Sequence, residues 1–468
     1  MAVKKLPVAN NRFTILPRRF LQNSFLALLL VLSHEVVVAE PAASLEDLFR
    51  AAIEYSPRLN IAREQWNIGT ARKQSATGQL LPQVSATGSF SDNRRETEQQ
   101  VLEGDQLVTR DVVNKFNGEK YRVQLSQVLF NWQVFAQRGR AAHFEDQVEA
   151  EYYEELSWVL VEVTESYLNV LQAEDLLRTV RAEKEAVDSQ LKQVQQMYER
   201  QLVKITDLYE AIARSAAIKA DVIDAQDGLA FARETLREVT GENIQTLYQL
   251  SDDASIPAVE GTMEEWQMRA SSESAVLRAR RSALRAAEKG VSERRGAYLP
   301  QVSLVALHQK SDLGFDNNAQ PESTTTYIGV DVTVPLFAGG SNRASVKEAK
   351  SLEAIARSEY EQVRQALVKR TRASYMQANS SPIRTEAARS LATSTQKSAA
   401  AMRKGFSLGT VTSVDVLNAL RDEFSAQRDL QMARYEHIKA LLYLKREAGV
   451  LTPQDLLEVN TWLVPPSG

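Results

Sequence analysis

The strongest constraint on this chain is that it is written twice. "LPQVS" stands at residues 81–85 and again at 299–303, and the flanks extend the match. "SLEDLFRAAIEYSPRL" (44–59) aligns with "TMEEWQMRASSESAVL" (262–277) and runs without a gap to the pentapeptides. Beyond them the register shortens by about ten residues and resumes. Leu129 and Phe130 then meet Leu336 and Phe337, Tyr167 meets Tyr375, "ITDLYEA" (205–211) meets "SVDVLNA" (413–419), and Gly241 meets Gly449. Repeats of about 200 residues exceed any solenoid unit, so these are two halves of one fold.

Each half changes periodicity in the same order. Residues 44–78 read as helix, opened by Ser44 with Asp47 three positions on, an approximate capping box. Leu81 precedes Pro82 and cannot stay helical. Alternation follows: Val84, Ala86, Gly88 and Phe90 on one side, Ser85, Thr87, Ser89 and Ser91 on the other. The spacing predicts strands over about 82–91 and 120–130 in the first half, and about 300–310 and 326–337 in the second. The polar inserts between them read as loops. Long helices are predicted over about 135–201 and 342–405, with return helices over about 207–240 and 413–448. With only 19 Gly and 13 Pro in 468 residues, little interrupts them. Ser381 before Pro382 predicts a kink or restart in the second long helix, as an N-cap and N1 pair. The domain plan is therefore a first repeat over 40–250, a second over 251–449, and a tail at 450–468. Alanine-rich faces read as helix-packing seams.

Residues 1–39 differ in kind. Lys4, Lys5, Arg12, Arg18 and Arg19 precede an apolar run, "FLQNSFLALLLVL", and Val37 and Ala39 suit the small positions before a cleavage. This predicts an export signal cut near Ala39. The run is about 13 residues, short of the roughly 20 that span a bilayer. Removing those five basic residues and Glu35 takes the formal charge from −4 to −8, which gives no case for nucleic-acid binding. There are no cysteines, so packing alone holds the exported chain, and a thioether-linked lipid anchor is excluded.

Strands of about ten residues with one apolar and one polar face suit a tilted membrane barrel. Four cannot close a ring, because the smallest such barrels need eight, and open edges are intolerable in lipid. Several chains must pool them. Aromatics mark the water boundary: Phe130, Trp132, Tyr298 and Phe337 at the helix-joined ends, and Phe90, Phe116, Tyr121, Phe315 and Tyr327 near the loop ends. Taken alone, the same aromatics would also fill an ordinary sheet core.

The order helix, LPQV-type strand, outer loop, strand, long helix, short turn and "ITDLYEA" or "SVDVLNA" return helix, given twice, resembles the TolC family of outer-membrane efflux and secretion ducts. The resemblance covers about residues 44–460 and rests on order and duplication, since no single motif is diagnostic. It implies a mixed α and β protomer and a homotrimer. Three chains would form a twelve-stranded outer-membrane β-barrel continued by a twelve-helix periplasmic coiled-coil tunnel. A periplasmic adaptor and an inner-membrane pump of the RND or ABC type would dock at the far end, for drug efflux or type I secretion. It also implies that the two helix turns form a periplasmic tip. Asp415 matches an acidic-ring position, and Asn418 stands where a second Asp can be found. Thr206 and Asp207 match first-half members of a closing network. Phe406 replaces an aromatic that can carry a hydroxyl, and Val411 stands where an Arg can occur. Simple N-capping of the return helices is the other reading of Asp207 and Asp415.

No catalytic constellation stands out. His34, His143, His308 and His437 are scattered, and HExxH, P-loop and GxSxG patterns are missing. The reading is a non-enzymatic duct without cofactor or metal. The alternatives are a periplasmic adaptor, which would carry one hairpin and not a duplicated plan, or another coiled-coil structural protein of the cell envelope. The basic run "RARRSALRAAEKGVSERR" (278–295) reads as a solvated face or an adaptor contact, not a polyanion site, because its charges spread around the helix.

Overall fold

The computed structural model describes residues 42–244, 246–314 and 317–466. The predicted signal at 1–39, and Phe315, lie outside the described residues. Helix α1 (Leu45–Tyr55) opens on the expected capping box: the Ser44 side chain accepts from the Asp47 amide, and the Asp47 carboxylate accepts from the Ser44 amide. The predicted single helix over 44–78 is two. Pro57 forces Ser56 out of the α region, and the Ser56 hydroxyl caps α2 (Pro57–Gly78) by accepting from the Leu59 amide.

Two long strands follow, β1 (Gln83–Glu103) and β2 (Gln106–Phe130). The polar insert predicted as a loop is thus a continuation of both strands, closed by a tight turn at Gly104, whose φ is +69°. The turn sets Val101 opposite Val108 and Leu102 opposite Leu107. The extension is exposed and mainly polar on both faces, which is why alternation does not reveal it. Helix α3 (Trp132–Glu199) starts earlier than predicted because the Asn131 side chain caps it, and its 68 residues span about 100 Å. Helix α4 (Ile205–Thr240) returns beside it and ends at Gly241, φ +75°.

The second half opens after β3 (Gln249–Leu250) with α5 (Met263–Glu273) and α6 (Ala275–Arg295), then a 3-10 turn, β4 (Gln301–Leu313) and β5 (Ala319–Thr333). Strand β5 stops short of the predicted end at 337, because Pro335 has no amide to donate to a ladder. Helix α7 (Ser341–Ser407) runs unbroken through Pro382, against the predicted restart. The proline removes the amide that would bond the Ala378 carbonyl, and the Ser381 hydroxyl donates to that carbonyl at 2.8 Å in its place. Helices α8 (Ser413–Glu447) and α9 (Pro453–Thr461) and strand β6 (Leu463–Val464) complete the described chain.

The main sheet has the antiparallel order β1-β2-β4-β5, with the outer edges of β1 and β5 unpartnered inside the subunit. Strands β3 and β6 form a separate pair. The largest apolar core gathers at mid-height of α3, where Val163, Tyr167, Leu168 and Leu171 meet Leu45 and Leu48 of α1 and Tyr435, Ile438 and Leu442 of α8. Leu456 and Val459 of α9 close the same core. Each such leucine contributes about 2 kcal/mol by burial. Along α7, the buried Thr371, Ala378, Ala392, Ala399 and Phe406 fall at multiples of seven, the small-residue seam of a coiled coil.

Candidate functional site: a two-faced sheet and two helix turns

The register sorts the sheet into an apolar and a mainly polar face, although Val305 and Leu307 of β4 fall on the latter. One row crosses all four strands as Val84, Leu125, Ala306 and Ile328, with Leu304 opposite Val330 and Val302 opposite Val332 on the same side. On the opposite face the adjacent row is Ser85, Gln124, Leu307 and Tyr327, and two residues further on comes Thr87, Arg122, Gln309 and Thr325, where the Arg122 guanidinium donates to Gln309 Oε1 at 3.0 Å. The apolar face is bare: Val84 is 68% and Ile328 73% exposed. An uncovered apolar row this long is unstable in water and suited to lipid.

The predicted boundary aromatics divide between the faces. Phe90 and Tyr121 share the apolar face, edge to face at 5.6 Å, with Tyr121 opposite Gly88. Tyr327 falls on the polar face, in register with Leu307 and one residue out of phase with Ile328, and its hydroxyl donates to Asp331. It is therefore no part of an apolar girdle. At the helix-joined end, Phe130 lies 6.3 Å from Phe135, Trp132 Nε1 donates to Ser292 Oγ at 3.1 Å, Tyr298 is half exposed, and Phe337 is 90% exposed.

The two helix turns are built alike. After α3, the Leu202 amide donates to the Met197 carbonyl and the Gln201 amide to Tyr198, with Gln201 at φ +59°. After α7, the Thr410 amide donates to Gly405 and the Gly409 amide to Phe406, with Gly409 at φ +75°. Both are Schellman closures. Neither aspartate is an N-cap. Lys204 and Thr412 hold the cap positions, and Asp415 is the third helical residue, its carboxylate accepting from the Thr412 amide at 2.9 Å and the Thr412 hydroxyl at 2.7 Å. Those two bonds hold the exposed Asp415 carboxyl below its ordinary range. Asp207 is half-buried beside the exposed Thr206, and its amide donates to the Lys204 carbonyl. Asn418 is exposed one turn beyond Asp415.

Phe406 is buried among Val194, Ala211, Val416, Leu417 and Leu420, with Val411 packed against the same cluster. The two halves therefore meet near the turns through apolar packing at the positions where hydroxyl and guanidinium links were in question. Polar ties lie higher. Glu183 of α3, 1% exposed, accepts from Arg214 of α4 at 2.5 Å and Arg428 of α8 at 2.8 Å. Gln190 of α3 donates to Ser413 at 3.5 Å. The sequence does carry a signal for these residues. Val180, Glu183, Val187, Gln190 and Val194 repeat at three and four, placing two polar residues in a buried seam.

Among the described residues no cluster of three or more His, Cys, Asp or Glu could hold a metal, and no helix is long and apolar enough to cross a membrane.

Comparison with known proteins agrees with this geometry. The family model described as "Outer membrane efflux protein" matches residues 48–242 and 267–450, one match per repeat. The outer membrane protein TolC of Vibrio cholerae is 29% identical over 428 residues, 90% of this chain and 94% of that protein. The alkaline protease secretion protein AprF of Pseudomonas aeruginosa is 27% identical over 445 residues, 94% of this chain and 90% of that protein. Among solved structures, the CmeC outer membrane channel of Campylobacter jejuni superposes with a TM-score of 0.74 at 15% identity, covering 95% of this chain and 98% of that one, a likeness of fold. On the family match to both repeats, this chain belongs to the outer membrane efflux protein family.

Proposed function

We propose that this chain is one of three identical subunits of an outer-membrane exit duct for efflux or type I secretion. The three four-stranded sheets close a twelve-stranded barrel, and the long helices and their return helices continue it as a periplasmic tunnel. Cargo enters from an inner-membrane pump through a periplasmic adaptor, and the duct conducts it passively. The observation that carries this reading is the bare apolar row on a sheet with two open edges. Such a sheet is unsatisfied in water and in lipid alike until neighbouring copies pair its edges. The turns at the far ends of the helices, with Asp415 exposed on each subunit, form the constriction, where a ring of carboxylates favours cations. Thr206, Asp207, Phe406, Val411 and Asn418 surround it. The boundary aromatics other than Tyr327 anchor the barrel at its two rims.

Fractionation tests this directly. The protein is expected in outer-membrane fractions, extracted only by detergent, and migrating as a trimer that heat converts to monomer. A monomer that stays dissolved without detergent would overturn the reading.

A further inference from the structure

Six cations crowd the ends of the helices where they join the sheet: Arg138 on α3, Lys289 and Arg295 on α6, and Arg343, Lys347 and Lys350 on α7. All are exposed, and none belongs to an ion pair among the described residues. Of the other basic residues nearby, Lys73 pairs with Glu145, Arg140 with Glu293 and Arg280 with Glu359, while Arg294 is exposed on the cleft side. The chain as a whole is acidic at −4, so this local excess stands against the composition.

The geometry tells which way these cations point. A cleft of about 520 Å³ takes one face from each of α2, α3, α6 and α7, with Arg72, Arg140, Arg294 and Glu348 along it. The row of four helices must curve around a cleft that all four line. Gln133, one turn before the cleft residue Gln137, accepts from Gln301 at 3.2 Å. Gln301 shares the strand face of Ser303 and Gln309, so the cleft continues the polar face of the sheet. At about 100° per residue, Arg343, Lys347 and Lys350 lie opposite the cleft face of α7, and Arg138 on α3 and Lys289 and Arg295 on α6 are turned roughly 110–125° from the cleft faces of their helices. They are on the convex side, which continues the apolar face. Glu288 is the carboxylate that accompanies them there. Leu336 and Phe337, 93% and 90% exposed, immediately precede this helix end.

We infer that this collar binds the phosphates of anionic phospholipid headgroups at the periplasmic end of the barrel. The inference rests on the duct reading and assigns a lipid site to it. Moving from the strands into the helices, the convex side passes from apolar side chains, through aromatics, to free cations. That is the order hydrocarbon, interface and headgroup. The cations lie within about two and a half helical turns of the strand ends, roughly 14 Å, and their flexible stems reach back toward the interface. An acidic protein partner would also suit the charge, but it would not explain the almost wholly exposed Leu336 and Phe337 beside it. Phosphate-layer contact explains both, the apolar pair dipping into the leaflet and the cations resting on it.

The test uses the full-length trimer in phosphatidylcholine vesicles containing a minor fraction of phosphatidylglycerol. After re-extraction in mild detergent, the retained lipids are measured per protein. The native trimer is expected to retain phosphatidylglycerol in excess of its vesicle fraction, and added salt should reduce that excess. The combined Arg295→Gln, Arg343→Gln, Lys347→Gln and Lys350→Gln variant is expected to lose at least about ten-fold in apparent affinity for that lipid. An Arg295→Lys, Arg343→Lys variant should keep the enrichment, which separates charge from fold. Equal enrichment in native and glutamine variants overturns the inference. So does unchanged lipid retention with lost adaptor co-purification, which would make the collar a protein contact. Full competition by inorganic phosphate would assign it to a free anion. A native protein that fails to enter phosphatidylcholine vesicles at all would overturn the duct reading itself.

Discussion

Glu183 on the first long helix and Arg428 on the second return helix meet at 2.8 Å although 245 residues separate them. With Arg214 on the other side, the pair ties the first hairpin to the second half across a seam that is mostly apolar. Removing one member strands the others: Glu183→Ala is expected to cost about 3 kcal/mol, because two guanidiniums lose their shared carboxylate in a buried seam. Glu183→Leu combined with Arg214→Met and Arg428→Met should recover most of that loss. Heat-dissociation midpoints of the three proteins check this. A single variant as stable as the native protein would mean that the seam does not depend on the charge.

Asp415 carries a different expectation, because its carboxylate both closes a capping box and lines the proposed constriction. Asp415→Ala removes both roles, whereas Asp415→Asn keeps an acceptor for Thr412 and removes the charge. In planar bilayers both variants should show weakened cation preference and weakened block by multivalent cations. The bonds from Thr412 hold the Asp415 carboxyl below its ordinary range. Native selectivity should therefore persist through neutral and mildly acidic pH and fade only below the usual carboxylate range. Unchanged selectivity in Asp415→Asn would remove this residue from the constriction.

Acid should weaken the fold through His437. The ring is 3% exposed on α8, and burial pushes its pKa down, opposed by a hydrogen bond to the Pro257 backbone. A depressed pKa means that the unfolded chain takes up the proton first. The contribution of His437 to stability is then full above about pH 6.5 and declines as pH falls below that value. Thermal midpoints of His437→Gln should be flatter than native between neutral pH and about pH 5. Parallel curves would assign the acid sensitivity elsewhere.

Two glycines with nearly the same backbone should respond unequally to alanine. Gly409 has φ +75° with open space where a Cβ would sit, and Gly449 has φ +72° with the Glu273 backbone 2.7 Å from that position. Gly409→Ala is expected to cost about 1 kcal/mol, the left-handed backbone term alone. Gly449→Ala should cost about 2–4 kcal/mol, since a rigid main chain must also move. Equal losses would show that the close approach is relieved cheaply.

Much of this architecture is legible in the chain. The duplication, the Ser44 and Asp47 cap, and the alternation at Val84 to Phe90 each express a local rule, and local rules survive in sequence. What stayed hidden depends on partners distant in the chain or on water. The β1–β2 extension could have been found from Gly104 and Asp105 between Val101, Leu102, Leu107 and Val108, a two-residue turn between apolar pairs. The helix does not restart at Pro382 because the lost amide bond is replaced by a hydroxyl one residue away, a substitution the helix pattern does not announce. Tyr327 was assigned by its place along the strand, whereas its face follows from parity with Gly329 and Asp331. At the turns, the duplicated spacing aligns the two return helices, the choice of Thr206, Asp207 and Asp415 rests on the family resemblance, and the burial of Phe406 against first-half residues requires the assembled helices.

The unpartnered rims of β1 and β5 have a genetic consequence. In the proposed trimer every ring contains three such seams, and one defective strand opens the wall for all its companions. A proline in the outer strand of one allele should thus poison ducts built largely from healthy copies. Dominance here would follow from closure alone, without any toxic gain of activity.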